Sequence, residues 1–139
     1  MKKKMKYLMP ILVIFLMVVT AGLITFDKPH KSLENMKPEY VTNASLLFEE
    51  YSMQEQRSNE KYLDKVIMVT GEIKEITKVA DDRINVTLET GDDIFGVSCT
   101  FEKKADALYS FNVGDNINIK GLCAGMLMDV VMINCVTVN

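Results

Sequence analysis

Apolar and polar positions alternate in three different ways along the chain. From Tyr7 to Phe26 the residues are apolar almost without interruption, broken by Pro10, Thr20, Gly22 and Thr25. A run of about twenty such residues is long enough to cross a bilayer as a helix. From Asp27 to Tyr40 no period is visible, and Pro29, Pro38 and scattered charges mark a linker. Beyond it Ala44, Leu47, Phe48 and Tyr51 recur at i, i+3, i+4 and i+7, which predicts an amphipathic helix capped by Thr42 or Asn43 and fading near Ser58-Asn59. Its aromatic stripe is expected to pack on a core.

The period then shortens to two. Val66 to Ile76 is a long β-branched run, with Gly71 in its middle where a bulge or bend is permitted. Ala80-Asp81-Asp82 predicts a turn. Ile84, Val86 and Leu88 alternate with Arg83, Asn85, Thr87 and Glu89. Gly91-Asp92-Asp93 is the next turn, and Phe95, Val97, Cys99 and Phe101 then alternate with Gly96, Ser98 and Thr100. These segments read as a hairpin with one buried face. A short helix fits Lys103 to Phe111, a fourth strand fits Asn116 to Lys120, Gly121 to Gly125 reads as a small-residue connection, and Val130 to Val138 reads as a fifth strand.

Five strands, a bent first strand and a helix between the third and fourth predict an OB-fold barrel. The fold class is mainly β with flanking helices, and an SH3-like barrel or an open five-stranded sheet is the competing architecture. The expected organisation is a transmembrane helix or signal anchor over residues 1–26, a linker over 27–41 and the OB-fold domain over 42–139.

Charge changes the picture at the N-terminus. Lys2, Lys3, Lys4 and Lys6 precede the apolar run, and every acidic residue follows it. The positive-inside rule then puts the N-terminus in the cytoplasm and the domain outside, held in a bacterial cytoplasmic membrane by a single pass. Cleavage near Ala21, giving a secreted domain, is the alternative. The chain carries −3 overall, and about −7 beyond Phe26. Polyanion binding calls for the opposite sign, so nucleic acid is disfavoured as a partner.

Catalytic constellations are missing. The single histidine, His30, falls in the linker, so neither a metal cluster nor a Ser/His/Asp triad is available to the domain. Asp81-Asp82 and Asp92-Asp93 fit turn chemistry better than acid–base catalysis. No phosphate-cradling glycine loop is present. No enzyme activity, metal or cofactor is expected.

Three cysteines in an oxidising compartment allow at most one internal disulfide. Cys123 and Cys135 lie in adjoining strands and are the first candidate pair. Cys99 is expected as a buried small hydrophobe, or as the alternative partner of Cys135.

OB-folds bind across the outer face of their second and third strands, between the first–second and fourth–fifth loops. That face would offer Asn85, Thr87, Ser98 and Thr100, with Lys78 and Arg83 at one loop and Met126 at the other. Lys74 would add to a small basic cluster. No aromatic falls on this parity, which weakens the case for single strands. An exposed Met126-Leu127-Met128 segment would suit an envelope protein partner or a lipid surface.

Several segments resemble the tRNA_anti-like family of bacterial OB-fold proteins. They are Lys61 to Gly71, Val97-Ser98-Cys99-Thr100-Phe101, Gly114-Asp115, Gly121-Leu122-Cys123-Ala124-Gly125 and Asp129 to Cys135. The resemblance implies an OB-fold, attachment to a membrane and, by analogy of fold, nucleic-acid binding. The chain departs from lipid-anchored members in having no acylatable cysteine at the end of its apolar run.

Overall fold

Asn43 is where the helical region begins. Its backbone is extended (φ −109°, ψ 162°), and its side-chain oxygen accepts the Leu46 N–H at 2.8 Å. In the computed structural model, which describes residues 33–79, 83–102 and 110–138, this cap opens helix α1 (Ala44–Met53). Ala44, Leu47 and Tyr51 are its buried face, as their spacing predicts. Gln54 leaves helical geometry, so the expected single helix breaks there, and a second helix, α2 (Glu55–Tyr62), carries on past the expected end near Ser58-Asn59. Its sequence is polar, so no apolar stripe announces it. Tertiary contacts hold it: Tyr62 and Ser58 are buried, and Lys61 pairs with Glu50 of α1 at 3.0 Å.

The strands are β1 (Tyr40–Asn43), β2 (Val66–Lys78), β3 (Ile84–Leu88), β4 (Val97–Phe101), β5 (Asn116–Met126) and β6 (Val130–Thr137). The first half of β2 pairs antiparallel with β5, and the second half pairs antiparallel with β3. β3 pairs with β4, β4 runs parallel to β6, and β6 returns antiparallel to β5. These pairings close a five-stranded OB-fold barrel from β2 to β6. Its interior is filled by the inward residues of each strand, among them Val69, Val86, Leu88, Val97, Phe101, Ile119 and Met132.

The structure departs from the sequence-based reading in four places. β1 begins in the last two residues of the expected linker and runs on through the cap candidates Thr42 and Asn43, parallel to β2, pairing Tyr40 with Ile67 and Asn43 with Thr70. Four residues are too few to reveal a period, and backbone hydrogen bonding holds the strand. Just before it, Leu33–Asn35 form a 3-10 turn with Leu33 buried. Buried Lys120 donates to the Glu34 and Met36 carbonyls at 2.7 and 3.0 Å, fastening this turn to the barrel. Second, Gly71 is not the irregularity of β2, whose register shifts between Ile73 and Glu75. Gly71 is instead where α1 lies close, because a Cβ there would stand 3.0 Å from Ala44 Cβ.

Third, Gly121 to Gly125 is not a connection, since β5 runs straight through it. Gly125 adopts φ +95° at a bulge between Cys123 and Gly125, so its glycine serves the strand rather than ending it. Fourth, β6 holds a bulge of its own. Lys120 pairs with Val136 but Leu122 pairs with Ile133, which leaves one extra residue on β6. Asn134, at φ 54°, absorbs it in a conformation that asparagine tolerates.

The Tyr7–Phe26 run, His30, the Asp81-Asp82 turn and nearly all of the expected Lys103–Phe111 helix lie outside the described residues. Among the described residues no helix is long and apolar enough to cross a membrane.

Candidate binding face

Burial alternates along β3 and β4 so that Asn85, Thr87, Ser98 and Thr100 all point outward and remain half-buried. The register sets Asn85 opposite Thr100 and Thr87 opposite Ser98. The side chains interlock. Asn85 Oδ1 accepts from Ser98 Oγ at 3.0 Å and from Thr100 Oγ1 at 3.4 Å. With its oxygen engaged, Asn85 turns the donor side of its amide away from these hydroxyls. The result is a fixed, uncharged row of hydroxyls and one amide, able to exchange hydrogen bonds with a polar ligand. Next to it stands Glu75, opposite Thr87 on β2, which accepts from Thr77 Oγ1 at 3.1 Å.

The structure revises the charges expected around this face. Lys78 ends β2 and Arg83 precedes β3, and the Val79 N–H donates to the Arg83 carbonyl at 2.8 Å, closing the hairpin mouth. Lys74 does not join them. Its ammonium donates to the Asp92 and Asp93 carbonyls at 2.8 and 3.1 Å and lies 3.9 Å from Glu89, stapling the β3–β4 loop.

Met126 is also displaced from its expected role, because it pairs with Val130 and packs partly buried on the core. The residues after it take the solvent-facing position. Leu127 and Met128 are 91% and 67% exposed, and Ile94 in the β3–β4 loop is 77% exposed. The two loops are joined by the Gly96 N–H donating to Asp129 Oδ1 at 2.8 Å and the Val130 N–H donating to the Gly96 carbonyl at 3.1 Å. Asp92 serves the turn as expected. Its Oδ1 accepts the Phe95 and Ile94 N–H groups, and these bonds hold its carboxyl below the usual carboxylate range.

Sequence reasoning missed a second cluster. Tyr40 meets Tyr62 edge-on at 5.3 Å, Lys61 stands over Tyr62 at 4.5 Å and Lys65 over Tyr40 at 5.3 Å. Hydrogen bonds to Tyr62 and Glu50 keep Lys61 charged beyond its usual range. Burial raises the Glu50 carboxyl, but the bonds from Lys61 and Tyr62 prevail and lower it. A shallow cavity of about 440 Å³ beside this pair is lined by Glu50, Met53, Gln54, Arg57, Ser58 and Lys61. Placing Tyr40 in a linker hid the cluster from view.

Cys99, Cys123 and Cys135 are buried free thiols. The favoured Cys123–Cys135 bridge is not made, because β5 sets Cys123 opposite Met132 and the Tyr51 hydroxyl lies 3.3 Å from its sulfur. Cys99 faces inward on β4, opposite Met132 of β6. The influence of Cys135 and its own burial hold the Cys99 thiol well above the ordinary range. No three His, Cys, Asp or Glu side chains cluster to hold a metal ion among the described residues.

The family model for tRNA_anti-like proteins matches residues 1–137. The chain belongs to the tRNA_anti-like family. Among solved structures, this tRNA_anti-like chain is similar to a protein from Klebsiella pneumoniae subsp. pneumoniae described as a putative nucleic acid-binding lipoprotein. The match has a TM-score of 0.58 at 16% identity, over 70% of this chain and 91% of that one. At that identity the likeness is one of fold. No curated protein matches the chain.

Proposed function

We propose that this protein is a membrane-tethered, extracytoplasmic OB-fold binding module without catalytic activity, which receives its ligand across the outer face of β3 and β4. The observation that carries the reading is the interlocked row Asn85, Ser98 and Thr100, with Thr87 beside it. It lies where OB-folds take their ligands. Its groups are neutral, Glu75 borders it and Lys74 is diverted to a loop. Such a face suits an uncharged polar ligand better than a polyanion. The tether rests on the four lysines ahead of the Tyr7–Phe26 run. The lipoprotein named for the Klebsiella structure is consistent with a place in the envelope.

Single-stranded nucleic acid is the second reading. The family's name and the description of the Klebsiella protein favour it, as do Lys78 and Arg83 at one end of the face. Fluorescent short ssDNA and ssRNA titrated against the compact unit Ser32–Asn139 at several salt concentrations separate the two. The first reading expects no binding even at low salt. Micromolar binding that weakens steeply with salt overturns it and puts nucleic acid first, with Lys78 and Arg83 as the first side chains to replace.

A further inference from the structure

The polar face does not end at β3 and β4 but extends onto β2. The register sets Glu75 opposite Thr87 and Thr77 opposite Asn85. On the other side Thr87 stands opposite Ser98 and Asn85 opposite Thr100. Directly opposed residues project to the same side of a sheet, so the six side chains form two short rows across three strands. One row is Glu75, Thr87 and Ser98, and the other is Thr77, Asn85 and Thr100. Strands about 4.8 Å apart and a rise of about 3.4 Å per residue make this grid roughly 10 by 7 Å. Each of its side chains carries a hydroxyl, an amide or a carboxylate, and none is aromatic or cationic.

Hydrogen bonding within the grid is lopsided. Thr77 Oγ1 donates to Glu75 Oε1 at 3.1 Å, and Ser98 Oγ and Thr100 Oγ1 donate to Asn85 Oδ1 at 3.0 and 3.4 Å. A hydroxyl has one proton and two lone pairs, so these three side chains have spent their protons and present acceptor oxygens. The Glu75 carboxylate adds further acceptors. Donors remain on the Asn85 amide nitrogen and the Thr87 hydroxyl. The Thr87 methyl leans over Gly96, where a Cβ would stand 2.8 Å from Thr87 Cγ2. The grid is ordered by its own bonds before any ligand arrives, which lowers the cost of ordering it on binding.

This inventory discriminates between ligand classes. A phosphodiester brings acceptors and negative charge to a surface of acceptors bordered by Glu75. A polyamine brings donors, but its positive charge meets Lys78 and Arg83 at the Thr77 and Asn85 end of the grid. An alcohol hydroxyl both donates and accepts without charge, so a chain of hydroxyls satisfies both kinds of group. We propose that the grid binds a neutral oligosaccharide, whose hydroxyls donate to Glu75, Thr77, Ser98 and Thr100 and accept from Asn85 and Thr87. The inference rests on the proposed reading that this face receives the ligand, and it names the ligand's class. The OB-fold frame serves oligosaccharides as well as oligonucleotides.

Amide NMR on the nitrogen-15-labelled full chain tests the proposal, in micelles of a detergent without a sugar headgroup. The neutral probes are cellohexaose, maltohexaose and chitohexaose. The charged probes are hexagalacturonate, spermine and a short oligothymidylate. At least one neutral hexamer is expected to shift the resonances of Thr77, Asn85, Thr87, Ser98 and Thr100 saturably, with half-saturation at about 1 mM or below. Asn85→Ala, whose fold the same spectrum checks, is expected to weaken that binding about fivefold through the lost hydrogen bonds. Each charged probe is expected to bind the face at least about fivefold more weakly. Absence of these shifts with every neutral hexamer up to about 10 mM overturns the proposal. So does a charged probe that binds the face as tightly as the best neutral one. A charged probe that moves these residues when no neutral hexamer does overturns the sugar class and leaves the face reading standing. A neutral hexamer that binds elsewhere and is indifferent to Asn85→Ala overturns both.

Discussion

Replacing Gly121 with alanine asks whether the Cys135 site is built by close approach. The added Cβ would lie 2.7 Å from Cys135 Sγ, 3.1 Å from Met132 Cε and 3.2 Å from the Ile133 carbonyl oxygen. Ordinary contacts between such atoms are about 3.5–4 Å, so roughly 1 Å of movement is required. The Met132 methyl is the end of a flexible chain and gives way. The Ile133 carbonyl belongs to the ladder, and the sulfur is held by the bulge. Overpacking of this kind costs about 1–3 kcal/mol, against a backbone gain of about 0.5–1 kcal/mol for replacing glycine in a strand. The expected net loss is about 1–2 kcal/mol. Cys135→Ala alone removes a group about the size of a methylene and costs about 1 kcal/mol. In the double variant the new methyl occupies the space the sulfur leaves, so the two losses do not add. The coupling should be at least about 1 kcal/mol, in the direction of rescue. Urea unfolding of Ser32–Asn139 under reducing conditions measures all four corners of the cycle. A loss of that size lowers the midpoint by roughly 1 M at an ordinary slope. An alanine at 121 within about 0.5 kcal/mol of wild type, or strictly additive losses, would refute the close-approach argument.

Four further outcomes follow from the same structure. Asn43→Ala removes the acceptor of the Leu46 N–H and should cost about 1 kcal/mol of stability by urea unfolding, while Asn43→Ser should restore most of it. Lys120→Met keeps the aliphatic stem but leaves the Glu34 and Met36 carbonyls without their donor; limited proteolysis should then cut near residues 33–36 while the barrel persists. The reduced protein should lose stability as pH rises above the ordinary thiol value of about 8.5, because Cys99 is held protonated in the fold and ionises on unfolding. Folding stability from this group is complete below that value and declines until the folded thiol itself titrates, so the urea midpoint of wild type should fall more between pH 8 and 10 than that of Cys99→Ser. Glu75→Gln removes the negative charge beside Thr87; if oligonucleotides bind this face, affinity should rise about fivefold, and an unchanged affinity would place them elsewhere.

The parity of β3 and β4 was fully legible from sequence, because five-residue strands with one wet face obey a strict two-residue period. The outward parity of Asn85, Thr87, Ser98 and Thr100 was therefore read correctly. The α1 cap and stripe were equally clear. Long-range pairing was not. The parallel addition of β1 and the persistence of polar α2 depend on partners distant in the chain, which no local pattern encodes. Glycines misled in both directions: Gly121 and Gly125 look like a loop yet lie within β5, and Gly71 looks like a bulge yet marks helix contact. Counting a fixed period through β6 also fails at Asn134, the signal being a single residue able to take positive φ. Lys74 was assigned to the binding face by its sign, and only the fold shows the loop carbonyls that claim it.

The acid excess beyond Phe26 is a weaker argument against nucleic acid than it looks from composition. At physiological ionic strength exposed charges are screened over about 8 Å, so the sum over the whole domain matters less than the few groups bordering the face. Those groups are mixed. Glu75 opposes a phosphate at one side, Lys78 and Arg83 would welcome it at the end, and the row between them is neutral. A single strand could gain affinity there only by hydrogen bonds and stacking, and none of the four outward residues of β3 and β4 is aromatic. The Tyr40 and Tyr62 rings do not repair this deficit, since they are already occupied by each other and by Lys61 and Lys65. Among the described residues the face thus combines the frame that other OB-folds use for oligonucleotides with a neutral, non-aromatic row. The local chemistry of the face therefore argues more strongly than net charge for an uncharged polar ligand.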